Sequence, residues 1–210
     1  MLAVPADSPR LLSSALRRPA DAVMPDLEDA VAPEAKDQVR SEMVRFLTDP
    51  ATADSTLHVR VNPGERSRCQ DLSVLAPHTG GLAGVVVPQS SPDSAAAVRE
   101  LLDVLVLALI ETAAGVGEAY GIARQDHVVG VLFGFVDYTG ELTSWGGLHV
   151  RELGWAKSRV INAAAVGGAW ASQDREPFSL TSWGCGTRPR RSDPSASRAS
   201  SAFTRNSSPW

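Results

Sequence analysis

Cysteine is scarce in this chain: Cys69 and Cys185 are the only two in 210 residues. They lie far apart and form no metal-ligand spacing, so they read as free thiols in a reducing compartment. The four histidines are scattered, which argues against a zinc cluster. Long apolar runs are missing too. The longest, Val104–Ile110, is too short to cross a membrane. No basic segment followed by an apolar stretch opens the chain, so no secretory signal is expected. Charge of one sign is not in large excess: 20 Lys+Arg against 24 Asp+Glu give −4, which argues against a nucleic-acid-binding surface. Neither a Walker loop nor a G-x-G-x-x-G loop is present. Gly115-Val116-Gly117 lacks the third glycine and follows Glu111. The expectation is a cytoplasmic protein that engages neither nucleic acid nor membrane.

What is present is ordinary globular material, 43% hydrophobic and 21% charged. The length suits one domain or two small ones. The composition is uneven, however. Residues 171–210 hold ten serines and six arginines, no lysine, and only Leu180 from the Ile, Leu and Val group. Such a stretch buries too little apolar area to offset its ordering entropy. The division expected is a folded domain over residues 1–165 and a disordered basic tail over 166–210.

Within the first 165 residues, short apolar runs alternate with helical patterns. Candidate strands are Leu2–Pro5, Asp21–Leu27, Leu57–Val61, Gly84–Val87, Val104–Ile110 and Val128–Phe133. Their spacing is that of βα units. Unbroken apolar runs such as Val85-Val86-Val87 suit strands buried on both faces of a parallel sheet. Helices are signalled after Ser8-Pro9, from Pro33, after Ser91-Pro92, over Ala113–Arg124 and over Leu148–Ala165. About six βα units result. An open doubly wound sheet has room to stop there. A (β/α)8 barrel does not, since it usually takes about 250 residues. The fold class expected is α/β: a TIM (β/α)8-type barrel, incomplete at about six units, with an irregular Ser/Arg-rich C-terminal tail.

Parallel α/β folds gather functional groups at the carboxyl ends of their strands. Those ends carry Asp26-Leu27-Glu28-Asp29, Arg60 with Asn62, Pro88-Gln89, Glu111-Thr112, and Gly134 followed by Asp137. Acids on several strand ends with one arginine point to a divalent cation and an anionic substrate. Mg²⁺ needs few carboxylates and leaves positions for substrate oxygens, and Arg60 has the fork geometry for a bidentate carboxylate clamp. Each residue has a plainer role open to it. Glu111 has the position of a helix cap, Asp137 of a solvated loop residue and Arg60 of a surface ion-pair partner. Asp26 to Asp29 equally fits an exposed acidic turn.

At these residues the sequence resembles the citrate lyase β-subunit family, within the HpcH/HpaI aldolase group of CoA-ester lyases. The matching segments are VPADSPR (4–10), DLEDAVAPEAK (26–36), VRVNPG (59–64), GVVVP (84–88), ALIETAAGV (108–116), LFGFVDYTGEL (132–142) and KSRVINAA (157–164). Seven segments in family order are a far stronger signal than any one of them. The resemblance implies a TIM barrel that binds Mg²⁺ and cleaves a carbon–carbon bond in a 3-hydroxyacyl-CoA thioester of the citryl-, malyl- or citramalyl-CoA type. Glu111 and Asp137 match the metal-binding acids, and Glu111 also borders the substrate. Arg60 matches the arginine that holds the substrate carboxylate. Glu28, with Asp26 and Asp29, matches the acidic motif lining the site, where Glu28 is one candidate base and a metal-bound hydroxide the other. Ser8 and Arg10 match the loop near the thioester carrier. Assembly as a homo-oligomer, a trimer or larger, is implied as well. Rival readings are a class II-type aldolase acting on a free 2-oxo acid, a malyl-CoA thioesterase, and an inactive truncated pseudoenzyme.

Two positions depart from the family pattern. Gln89 stands where a lysine is usual, and Pro25 stands inside the second strand, where it removes a ladder donor. The resemblance stops near Ala164, where relatives continue with further βα units and an Ile-His-Pro motif. Eighteen arginines against two lysines suggest a GC-rich gene. With permitted codons, Ser179–Trp210 read in a shifted frame yields GFTG and IHPEQ, close to that missing segment. A frameshift near Ala165 to Gly168 is therefore expected. Sequencing the coding DNA from the codon for Trp155 to beyond the stop should show one base missing or extra. An unaltered reading frame would establish the tail as written.

Overall fold

The computed structural model describes residues 1–145 and 150–173. Seven strands form one parallel sheet in chain order: β1 (Leu2–Pro5), β2 (Val23–Asp26), β3 (His58–Arg60), β4 (Gly84–Val87), β5 (Leu105–Ile110), β6 (Val128–Phe133) and β7 (Trp170–Gln173). Helices α1 (Pro9–Ala15), α2 (Lys36–Leu47), α3 (Glu65–Leu75), α4 (Pro92–Leu101), α5 (Ala113–Ala123), α6 (Phe135–Ser144) and α7 (Val150–Gly167) connect them. Consecutive neighbours and parallel pairing are the βα pattern of an incomplete barrel, and they bring every strand's carboxyl end to the same edge of the sheet.

The strands form where the apolar runs are. Val85, Val86 and Val87 are fully buried. Each contributes about 1.5–3 kcal/mol relative to exposure. Ser91 and Ser94 close a reciprocal capping box ahead of α4, with Pro92 at the first helical position. Thr112 caps α5 by accepting from the Gly115 amide at 3.0 Å. The Pro25 fault is visible in the register. Val23 donates to Thr56, just ahead of β3, and Leu27 to Arg60 at its end, both at 2.9 Å. Between them the donor is missing, and the ladder of β2 on β3 reduces to Asp26 opposite Arg60 and an isolated bridge from Val23 to Leu57.

Three elements lie outside the sequence expectation. Helices α3 and α6 were not foreseen, and the chain makes a seventh strand rather than ending after six. Helix α3 hides its amphipathicity, because its buried face carries Arg68 and Asp71 beside Leu72 and Leu75. The fold also runs past the composition break at 165. Gly168, at φ 74, ends α7 in a Schellman arrangement: the Ala169 amide donates to Ala164 at 2.9 Å and the Gly168 amide to Ala165 at 3.3 Å. Ala169 is buried, and β7 then pairs with β6 from Gly130↔Trp170 to Phe133↔Gln173. Strand, cap and helix end are therefore ordinary fold elements through residue 173. The rest of the expected tail, 174–210, lies outside the described residues.

Glycines report how closely α7 packs on α5. A Cβ on Gly167 would stand 1.9 Å from the Ala123 carbonyl oxygen, whereas one on Gly117 would meet nothing within 4 Å. In urea melts, Gly167→Ala should lose about 2 kcal/mol or more. Gly117→Ala, mid-helix and exposed, should gain about 0.5–1 kcal/mol. Equal effects would contradict this packing.

Candidate functional site

The parallel register sets Asp26 beside Arg60 at the carboxyl ends of β2 and β3. Arg60 donates to Asp26 through two parallel bonds, Nε to Oδ1 at 2.8 Å and Nη2 to Oδ2 at 2.6 Å. Its Nη1 lies 2.9 Å from Glu28 Oε2, within ion-pair distance but out of line for a hydrogen bond. Asp29 Oδ2 is 3.6 Å from Nη2 and exposed. Burial acts against the charge on Arg60, but the hydrogen bonds and charge of Asp26 outweigh it and hold the pKa above its ordinary value. The bidentate edge expected to face a substrate carboxylate is thus occupied by Asp26, because the strand register makes the two residues neighbours. Only the Nη1 side remains, next to Glu28.

The turn after β2 is pinned from below. Asp26 Oδ1 also accepts the Glu28 amide at 2.8 Å. Lys36 Nζ donates to the carbonyls of Leu27 at 2.6 Å and Glu28 at 2.5 Å. Burial draws Lys36 below its usual pKa, against the pull of Asp71, Asp26 and Glu28. Glu28 is 6% exposed, and its pKa rises to about 8. Desolvation is the main cause. Arg60 opposes it, while Asp29, Glu111 and Asp26 add to it.

Glu111, at the end of β5, is 3% exposed. Its Oε1 accepts the Gln89 amide at 2.9 Å, and Gln89 holds φ 46 to present that amide. A left-handed glutamine costs about 1 kcal/mol or more. Gly134 is required here, since a Cβ would fall 2.7 Å from Glu111 Oε2. Burial raises the Glu111 pKa, and Asp137 raises it further by its charge and a side-chain hydrogen bond. Asp137 stands in the first turn of α6.

The structure therefore brings Glu28, Arg60, Glu111 and Asp137 into one electrostatic group. It does not bring Ser8 and Arg10 there. Both sit just beyond β1, at the same end of the sheet. The Ser8 side chain makes no cap bond, and neither residue pairs with the group. Sequence reasoning passed over Lys36 and Glu141, although both lie in segments quoted for the resemblance. Glu141 Oε2 accepts the Ala113 amide at 2.7 Å and so ties α6 to the start of α5 beside Glu111. Five acids (Asp26, Glu28, Asp29, Glu111, Asp137) meet two bases (Arg60, Lys36), so negative charge is in surplus. Among the described residues no three His, Cys, Asp or Glu side chains enclose an ion position. The Glu111–Asp137 pair is instead suited to hold one side of a hard divalent cation, leaving the other positions to water and ligand oxygens.

The sequence profile of the HpcH/HpaI aldolase/citrate lyase family matches residues 1–173. The chain belongs to this family. It is 37% identical over 176 residues to the citrate lyase subunit beta-like protein of Mycobacterium tuberculosis, covering 80% of this chain and 60% of that protein. Citrate lyase subunit beta of Escherichia coli is 30% identical over 186 residues, covering 81% and 61%. Among solved structures, the protein CitE from Mycobacterium tuberculosis in complex with magnesium, acetoacetate and coenzyme A has a TM-score of 0.67 and 30% identity, over 82% of this chain and 63% of that one. The chain thus spans about 60% of the length of these sequence relatives. Among its described residues no helix is long and apolar enough to cross a membrane.

The proton held by Glu28 has a measurable consequence. Its carboxyl keeps a proton up to about pH 8 when folded but only to 4.5 when unfolded. That stabilising contribution is full below pH 4.5 and drains away as pH rises through 8. His58 works the other way, with a folded pKa of about 4 against 6.5, so its contribution is lost as pH falls below 6.5. Between pH 6.5 and 8 the Glu28 effect stands clear of it. Urea melts in chelator-containing buffer should show wild-type stability falling across that window. Glu28→Gln should flatten the slope; parallel slopes would refute the assignment.

Proposed function

We propose that this chain carries the active centre of a Mg²⁺-dependent carbon–carbon lyase. The substrate would be a 3-hydroxyacyl-CoA thioester of the citryl-, malyl- or citramalyl-CoA type, yielding an acyl-CoA and an oxo acid. The observation that carries this reading is the buried Glu111, held by the Gln89 amide and facing Asp137, set beside Arg60 and Glu28 in a surplus of acids over bases. Family membership and the ligands of the CitE complex support the same chemistry. In this reading the protein works in the cytoplasm as a homo-oligomer of three or more chains.

Glu111 and Asp137 would hold Mg²⁺, which supplies Lewis acidity toward the oxygens of a chelating hydroxy acid. Arg60 offers Nη1 to the substrate carboxylate while Asp26 fixes the plane of the guanidinium. Glu28 exchanges a proton at Oε2. A pKa near neutrality keeps both its forms populated, as a group that takes the hydroxyl proton requires. The Gln89 amide and Gly134 keep Glu111 oriented. Ser8 and Arg10 would meet the thioester carrier from the β1 loop.

Calorimetric titration of Mg²⁺ should show binding that Glu111→Gln and Asp137→Asn each weaken by at least about tenfold. Wild-type affinity in both variants would remove the assignment. Incubation with citryl-, malyl- and citramalyl-CoA then separates the chemistries. Acyl-CoA plus oxo acid supports the lyase reading. Free CoA with intact hydroxy acid indicates a thioesterase, and cleavage of a free 2-oxo acid without CoA indicates an aldolase.

A further inference from the structure

Helix α2 carries two cations one turn apart, Lys36 and Arg40, and residues so spaced share a helix face. Each serves a different strand end. Lys36 Nζ donates to the carbonyls of Leu27 at 2.6 Å and Glu28 at 2.5 Å, directly after β2. Arg40 Nε donates to Asp71 Oδ1 at 2.7 Å. Asp71, fully buried on α3, passes the constraint to the end of β3. Its Oδ2 accepts the Asn62 amide at 2.7 Å and Asn62 Nδ2 at 2.8 Å, two residues past Arg60. The two arms also sense each other. Burial disfavours the charge on Lys36, and Asp71 counters it most among the acids, ahead of Asp26 and Glu28.

Arg40, Asn62 and Asp71 are all buried. A buried ion pair adds little net stability over apolar packing. Its directional bonds fix a geometry instead. The sheet does not fix that geometry alone, because Pro25 leaves β2 joined to β3 only by Asp26 opposite Arg60 and one bridge from Val23 to Leu57. Between the two held strand ends lies the contact of Glu28 Oε2 with Arg60 Nη1 at 2.9 Å. Lys36 grips Glu28 by its main-chain carbonyl, and Glu28 Oε2 accepts no hydrogen bond among the described residues. The carboxylate is placed without being tied up.

We propose that Lys36 and Asp71 are positioning residues, which lock the ends of β2 and β3 from α2 and α3 so that Glu28 Oε2 meets Arg60 Nη1. This rests on the reading of Glu28 and Arg60 as working groups of the lyase centre. A division of labour follows from the two arms. Lys36 governs Glu28, which moves the proton, and so acts on kcat. Asp71 governs Arg60, which holds the carboxylate, and so acts on KM.

Hydrogen exchange on the full chain reads the placement without any reaction. Lys36→Met keeps the apolar stem and removes the donor. It should speed exchange at the Leu27 and Glu28 amides by at least about tenfold and leave the Val86 and Val87 amides of β4 unchanged. Lys36→Arg, which still donates, should stay near wild type. Asp71→Asn should speed exchange at Asn62. Because it strands the buried Arg40, the double variant Arg40→Met/Asp71→Asn is measured beside it. With whichever thioester wild type cleaves, Lys36→Met should lower kcat by at least about tenfold at nearly unchanged KM, and Lys36→Arg should restore most of it. Arg40→Met/Asp71→Asn should raise KM with little change in kcat. Exchange that accelerates throughout, β4 included, or kcat and KM moving alike in both variants, reduces these contacts to general stability and overturns the proposal. A wild type that cleaves none of the three thioesters refutes the lyase reading instead, and the exchange pattern then decides alone whether Lys36 and Asp71 hold the two strand ends.

Discussion

The ion pair between Arg60 and Asp26 is the constraint around which the carboxyl end of the sheet is organised. Both residues are largely out of water, and neither charge is tolerable there alone. Their pairing is bidentate because the parallel register leaves them side by side. Once Asp26 has claimed one edge of the guanidinium, too little positive charge remains for the other acids. Burial is then the main force raising the pKa of both Glu28 and Glu111, with Asp29, Glu111 and Asp26 adding to it at Glu28 and Asp137 adding to it at Glu111. The group holds more acids than bases, and a bound cation would offset the difference.

The backbone supports this with features that are costly anywhere else. Gln89 adopts a left-handed conformation so that its amide meets Glu111. Gly134 omits a side chain so that Glu111 fits. Lys36 spends a part-buried ammonium on two carbonyls of the Asp26–Asp29 turn. Pro25 interrupts the ladder one residue before Asp26, which leaves the Asp26–Arg60 register and a single bridge to join β2 to β3. Local rules are broken at the site and obeyed in the valine-rich strands around it, as expected where strain is held by surrounding structure.

Most of this was legible in the sequence, because parallel strands buried on both faces announce themselves as unbroken apolar runs. β4, β5 and β6 lie where those runs are. The acids and Arg60 were legible as strand-end residues, since the end of a run is easy to locate. Helix α3 was not, because Arg68 and Asp71 occupy positions where an amphipathic pattern calls for apolar side chains. β7 was hidden by composition: Trp-Ala-Ser-Gln carries no Val, Ile or Leu and opens the serine-rich stretch just past the Gly167-Gly168 helix stop. The occupied edge of Arg60 was out of reach for another reason. Periodicity locates strand ends but not which neighbours share a register.

The glutamine at position 89 ties these points together. The family resemblance sets up the expectation of a lysine there, and glutamine brings no positive charge to the rim of this acidic group. What it leaves intact is the amide. The contact to Glu111 comes from the main chain, and the side chain of Gln89 is exposed. The orientation of Glu111 is thus encoded by the turn after β4 and survives the change of side chain. The electrostatic balance does not survive it. With no cation at position 89, compensation of the buried acids falls to Arg60, Lys36 and any bound cation. Orientation and charge compensation are separable here. The first is fixed by backbone geometry at Gln89 and Gly134, and the second is left to whatever positive charge the site recruits.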